Sequence, residues 1–283
     1  MDSFVQAEPA NPVGVDGIEF VEYATPRPQE FGALLQKLGF QAVARHRSRE
    51  VMLYRQGAMN LIVNAHQPKR PTPALSAVAL RVRDAAFAHQ RSLNLGAWDQ
   101  PTRAAAMELN IPGIHGVGDS LIYFVDRYQD FSIYDVDFVP LPGIESRPPA
   151  LAALHWFGIV QVILADRTGD WLDFYQTLFG FAVLPRGQHF GVLPGGTLLE
   201  SPCQKFYLQL IEPPSGSEDA PGEEGLVRAG LGAPDVPLAT RMLKERGIVF
   251  IERGAVQPSD KGALTQAYLG GVTFELVRSH LAP

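Results

Sequence analysis

GIEFVEYATPRPQEFGALLQKLGF (residues 17–40) and GIVQVILADRTGDWLDFYQTLFGF (residues 158–181) decide the fold. Each opens with a strand and closes with a helix that ends at Gly-Phe. GIEFVEYA alternates apolar and polar residues, the pattern of a half-buried strand. FGALLQKLGF carries helical spacing and stops at Gly39, a C-cap residue. In the second copy, GIVQVIL is a strand from Gly158 to Leu164 and DWLDFYQTLFGF is the helix. Gly180-Phe181 answers Gly39-Phe40, and the copies lie 141 residues apart.

The repeat continues outward. VMLYRQG and MNLIVNA form a strand pair closed near Gly57, and ALSAVALRV is a further strand. DAAFAHQRSLNLGA is a helix capped by Asp84 and stopped at Gly96, followed by the strand LIYFVDRY. The second half supplies the strands FYLQLIE and GLVRAGLGA, the helix DVPLATRMLKERG from Asp235 to Gly247, and the strand VTFELVR. Asp84 and Asp235 are 151 residues apart, so the offset grows by ten within a stretch containing PPSGSEDAPGEE. That polar segment is a loop that tolerates insertion. The order predicts an α+β fold with a first domain over 11–140, a Pro-rich linker over 141–150 and a second domain over 151–283.

Composition narrows the function classes. The 283 residues are 46% hydrophobic with a net charge of −6. A nucleic-acid partner is not expected without a basic excess or stripe. No apolar run reaches the roughly 18 residues of a membrane span, and MDSFVQAEPA lacks the features of a secretory signal. A cytoplasmic protein is expected. Cys203 is the only cysteine, which rules out an intrachain disulfide and multi-cysteine zinc. It reads as an apolar filler rather than a nucleophile.

The module order resembles the vicinal oxygen chelate (glyoxalase) superfamily. GIEFVEYATP, LGFQAVARHRSREVMLYRQGAMNLIVNA, MELNIPGIHGVGDSLIYFVDRY and SIYDVDFVP are similar to the N-terminal half of 4-hydroxyphenylpyruvate dioxygenases. ADRTGDW, FYQTLFGF, SPCQK and VTFELVR carry the likeness more loosely through the second half. The resemblance implies two tandem domains built from paired βαβββ modules. It also implies an iron(II) site of two histidines and a glutamate in the second half. The matching positions here are Gly158, Arg228 and Glu275. Gly158 offers no ligand, and a guanidinium has no lone pair to give. The expectation is therefore a degenerate metal site with no cofactor; iron(II) would enter only through displaced ligands.

Glu275 is the candidate proton acceptor. Arg228, Gln266 and Ser201 are candidate contacts to a small anionic ligand, a 2-oxo acid or an aromatic acid. Arg228 and Glu275 read either as a buried ion pair or as a carboxylate-binding arginine beside a base. His155 reads as an interdomain or partly exposed histidine, with displaced metal ligand as its rival role. His189 reads as solvent-facing or structural, and ARHRSRE as a solvated turn. The family's C-terminal gating helix has no counterpart before Pro283, so an open pocket is expected. A homo-oligomer is also expected. The alternatives are an active metal-dependent dioxygenase and a structural or partner-binding protein with a filled pocket.

Overall fold

The computed structural model describes residues 10–66, 68–101, 109–193, 195–213, 222–253 and 256–279. The first half contains β1 (Ile18–Ala24), α1 (Pro28–Lys37), β2 (Gln41–His46), β3 (Val51–Gln56), β4 (Met59–Asn64) and β5 (Ala74–Arg81). It continues with α2 (Ala85–Asn94), β6 (Gly113–His115), β7 (Leu121–Val125), α3 (Ile133–Asp137) and β8 (Phe138–Pro140). The second half contains β9 (His155–Val162), α4 (Thr168–Phe179), β10 (Ala182–Val183), β11 (Thr197–Glu200) and β12 (Tyr207–Ile211). β13 (Gly225–Ala233), α5 (Val236–Glu245), β14 (Gly262–Leu264) and β15 (Thr273–Arg278) complete it.

Strand pairing repeats between the halves. The first sheet has the order β6-β7-β5-β1-β4-β3-β2-β8 and the second β10-β11-β12-β9-β13-β15-β14. β1 pairs parallel with β4 and antiparallel with β5, as β9 does with β12 and β13. β5 and β7 run parallel, as do β13 and β15. Each half is thus two modules joined edge to edge, the α+β class that the repeat implied and the glyoxalase-type arrangement that the resemblance implied.

Local chemistry sets the helix ends. The Asp84 carboxylate accepts from Phe87 N at 2.8 Å, and Asp235 accepts from Leu238 N at 2.8 Å. Each satisfies an amide that the first helical turn leaves without a partner. Gly180 closes α4 at φ 80°, with no room for a Cβ beside the Ala10 carbonyl. α1 starts with Pro28, whose missing N–H costs nothing there.

One apolar core runs through both halves. Tyr23 meets Phe274, Phe40 meets Trp156, and Phe124 meets Phe179 at ring distances of 6.0, 6.1 and 6.1 Å. Arginines tie its edges: Arg91 donates to Leu178 O at 2.9 Å, and Arg246 to Gln36 O at 2.8 Å. Each cation sits on carbonyls at the C-terminal end of a helix in the other half, where the dipole favours it.

Two expectations change, and a third lies largely beyond the described residues. The turn over ARHRSRE begins later, because Ala44, Arg45 and His46 belong to β2 and pair with β8. β9 starts at His155 rather than Gly158, since Trp156 and His155 pair with Leu231 and Gly232. The loop PPSGSEDAPGEE lies mostly outside the described residues. Asp84→Ala and Asp235→Ala should each lower unfolding free energy by about 1 kcal/mol in urea titration, with unchanged slope.

Candidate functional site

The outer face of the second sheet carries the positions singled out by sequence. Gly158, Gly230 and Glu275 form one row across β9, β13 and β15. Arg228 lies two residues before Gly230 and so shares their face. Its Nε stands 3.3 Å from Glu275 Oε2, and both side chains are buried. Burial pushes the Glu275 carboxyl up, opposed by Arg228 and by the backbone N–H of Val192. Burial likewise pulls the Arg228 guanidinium down, opposed by Glu275.

The face is filled. Across a register shift in β9, Gly158 pairs with Gly230 and Trp156 with Leu231, leaving Phe157 between them unpaired. Such a bulge re-aims a side chain. Phe157 meets Tyr207 at 5.1 Å and Phe190 at 5.1 Å, and Phe190 meets Tyr207 at 4.7 Å. Phe190 arrives on the segment between β10 and β11, where Gly187 and Gly191 take φ of 90° and 69°. Gly191 packs so closely on Glu275 Oε1 that a Cβ would collide with it. About 20 Å³ of space remains beside Glu275, lined also by Phe157, Gly158, Phe190 and Tyr207. That is room for about one water molecule.

The other candidates sit elsewhere. Ser201 is buried in the β11–β12 turn, where its Oγ accepts from Phe206 N at 3.2 Å and Lys205 N at 3.3 Å. Gln266 is exposed between β14 and β15, and its backbone N–H donates to Val249 O at 2.9 Å. Neither lines the space beside Glu275. His189 is exposed. His155 is 5% exposed, not partly open to solvent. Its Nε2 pairs with Ser279 Oγ at 2.9 Å and its Nδ1 with Ala153 O at 3.1 Å, so both ring nitrogens are engaged. Burial pulls its pKa down, opposed by the Ala153 carbonyl.

The residues at the three implied ligand positions do not fit iron(II). Glu275 is the single donor, the neighbouring guanidinium repels a cation, and a side chain at Gly158 would run into the Tyr207 carbonyl oxygen. Among the described residues no group of three His, Cys, Asp or Glu is placed to hold a metal. Sequence reasoning missed Phe157, Phe190 and Tyr207. The bulge that brings Phe157 to this face has no signature in the apolar run HWFGIVQV.

A family model described as hydroxyphenylpyruvate dioxygenase, N-terminal, matches residues 10–139. A 4-hydroxyphenylpyruvate dioxygenase from Pseudomonas sp. (strain P.J. 874) is 37% identical over 179 residues, 60% of this chain and 50% of that protein. The chain therefore matches only half of that relative's length. One from Pseudomonas aeruginosa is 30% identical over 271 residues, covering 89% of this chain and 75% of the relative. A variant of 4-hydroxymandelate synthase from Streptomyces coelicolor superposes with a TM-score of 0.74 at 16% identity, covering 95% and 94% of the two chains. That last likeness concerns the fold. Among the described residues no helix is long and apolar enough to cross a membrane.

The ion pair yields a direct prediction. Arg228→Met or Glu275→Leu alone strands a buried charge and should cost about 3–5 kcal/mol. The double substitution should recover most of that loss, because no unpaired charge remains. Urea unfolding of the four proteins in the cycle measures it.

Proposed function

The chain belongs to the 4-hydroxyphenylpyruvate dioxygenase family, and from that premise we propose that it is a member of the family that has lost two of three iron ligands. In this reading it does not perform iron-dependent dioxygenation. The observation that carries the reading is the Arg228–Glu275 pair at 3.3 Å, in the row that would otherwise hold the metal. A facial triad needs three neutral or anionic donors around open coordination positions. Here one position has no side chain, one bears a permanent positive charge, and the carboxylate is engaged by that charge.

A second reading has one observation in its favour. Arg228 Nε is buried and completes no hydrogen bond of good geometry, despite its closeness to Glu275. A ligand carboxylate could exchange for Glu275 as the bidentate partner of the guanidinium. Glu275, released from Arg228 in a buried setting, would then take up a proton. This exchange requires the Phe190 segment to lift, since about 20 Å³ does not admit an organic acid. The described residues favour the filled face over the open pocket that the sequence implied.

Two measurements on untagged protein test the proposal: metal content by mass spectrometry and oxygen uptake with 4-hydroxyphenylpyruvate. Iron well below one per chain, even after anaerobic loading with Fe(II), and no uptake above the blank are expected. Stoichiometric iron with turnover would sink it. Titration with phenylpyruvate addresses the second reading, which requires saturable binding that Arg228→Met abolishes.

A further inference from the structure

The first sheet has an outer face of its own, and there the filling is incomplete. Helix α3 lays Ile133 and Tyr134 against Phe20, Leu53 and Phe138 in a small second core. Beside it a cavity of about 610 Å³ opens, within the size range of small-molecule sites. Its floor is a chain of hydrogen bonds. Arg81 Nε donates to Glu19 Oε2 at 2.6 Å, and Asn60 Nδ2 donates to Glu19 Oε1 at 3.1 Å. Arg55 Nε donates to Asn60 Oδ1 at 2.7 Å. Glu19 is 2% exposed and Asn60 5%.

Around the cavity three arginines, Arg55, Arg81 and Arg147, face three carboxylates, Glu19, Asp130 and Asp135, and on its floor two guanidinium groups share the one buried carboxylate. Tyrosine rings cover the arginines: Arg81 lies 5.3 Å from the Tyr128 centroid and Arg55 5.2 Å from that of Tyr134. Arg55 also donates from Nη1 to Ser146 O at 2.8 Å. Its Nη2, and both Nη groups of Arg81, make no hydrogen bond among the described residues. Arg147 stands at the rim of the same cavity. Of the acidic residues there, Asp135 is engaged by Ser132 N and Oγ at 2.7 and 2.9 Å, and Asp130 is exposed. Val43, Leu53 and Pro148 supply apolar wall.

We propose that this cavity is a binding site for a small organic monocarboxylate with an apolar body. The Nη groups of Arg55 and Arg81 that make no hydrogen bond among the described residues take the carboxylate. A guanidinium held in place by a stacked ring loses little freedom on pairing with a planar anion. Glu19 acts as a positioning residue that fixes Arg81. The site lies on the opposite half from Arg228 and is independent of whether the second sheet binds anything.

Benzoate titrated into the full chain and followed by calorimetry tests this. One Arg55-dependent site is expected, with benzamide, its neutral counterpart, bound at least about tenfold more weakly. Arg55→Met should weaken benzoate about tenfold or more, and Arg147→Ala by a smaller factor. Arg147 is exposed, so its substitution tests the site even if Arg55→Met fails to fold. Arg228→Met should leave this site unchanged. Inorganic phosphate should not compete at equal concentration; phosphate binding in place of benzoate would overturn the assignment of a carboxylate. The proposal also fails if benzoate does not bind at about 10 mM, if benzamide binds equally, or if Arg55→Met and Arg147→Ala leave binding intact.

Discussion

A carboxylate removed from water needs a cation or several hydrogen bonds close by. Both halves of this protein meet that constraint on the outer face of their sheets. Glu19 is held by Arg81 from the neighbouring strand β5, and Glu275 by Arg228 from the neighbouring strand β13. In both, burial pushes the glutamate pKa up while the arginine pulls it down. What each face can do depends on what packs beside its ion pair.

The packing differs for reasons that are local. In the first half the cover is α3, nucleated by a Ser132–Asp135 capping box. A five-residue helix cannot span an eight-stranded sheet, so space is left beside Glu19. In the second half the cover is a bulged Phe157 together with the glycine-flanked Phe190, and these rings close against Tyr207. Aromatic side chains fill volume efficiently, and three of them leave almost none. The half that carries the family's metal chemistry by resemblance is thereby the closed one.

Neither sheet stands alone. Their inner faces share one core, and Arg91 and Arg246 each bond helix carbonyls across the interface. Each sheet therefore presents only its other face to partners or ligands. The two faces differ in content although they descend from one repeated pattern.

Much of the fold was legible. The 24-residue copies at 17–40 and 158–181, and the caps at Asp84 and Asp235, are local patterns that a helix or strand needs wherever it sits. The meeting of Arg228 with Glu275 was legible only through the family resemblance, which places them on adjoining strands. The short strands β6, β8 and β14 were not, because three residues carry no period. Nor could the sequence show that Ser201 holds a turn, that His155 is buried with both nitrogens engaged, or that Glu19, Asn60, Arg55 and Arg81 form one chain of bonds.

The sequence by itself determined the repeat and its two-sheet architecture, because these depend on residue type and spacing. Only the tertiary structure decided which face is closed and which holds a cavity. That outcome depends on a one-residue register shift in β9 and on where a loop and a short helix come to rest, and both are settled by packing between residues far apart in the chain.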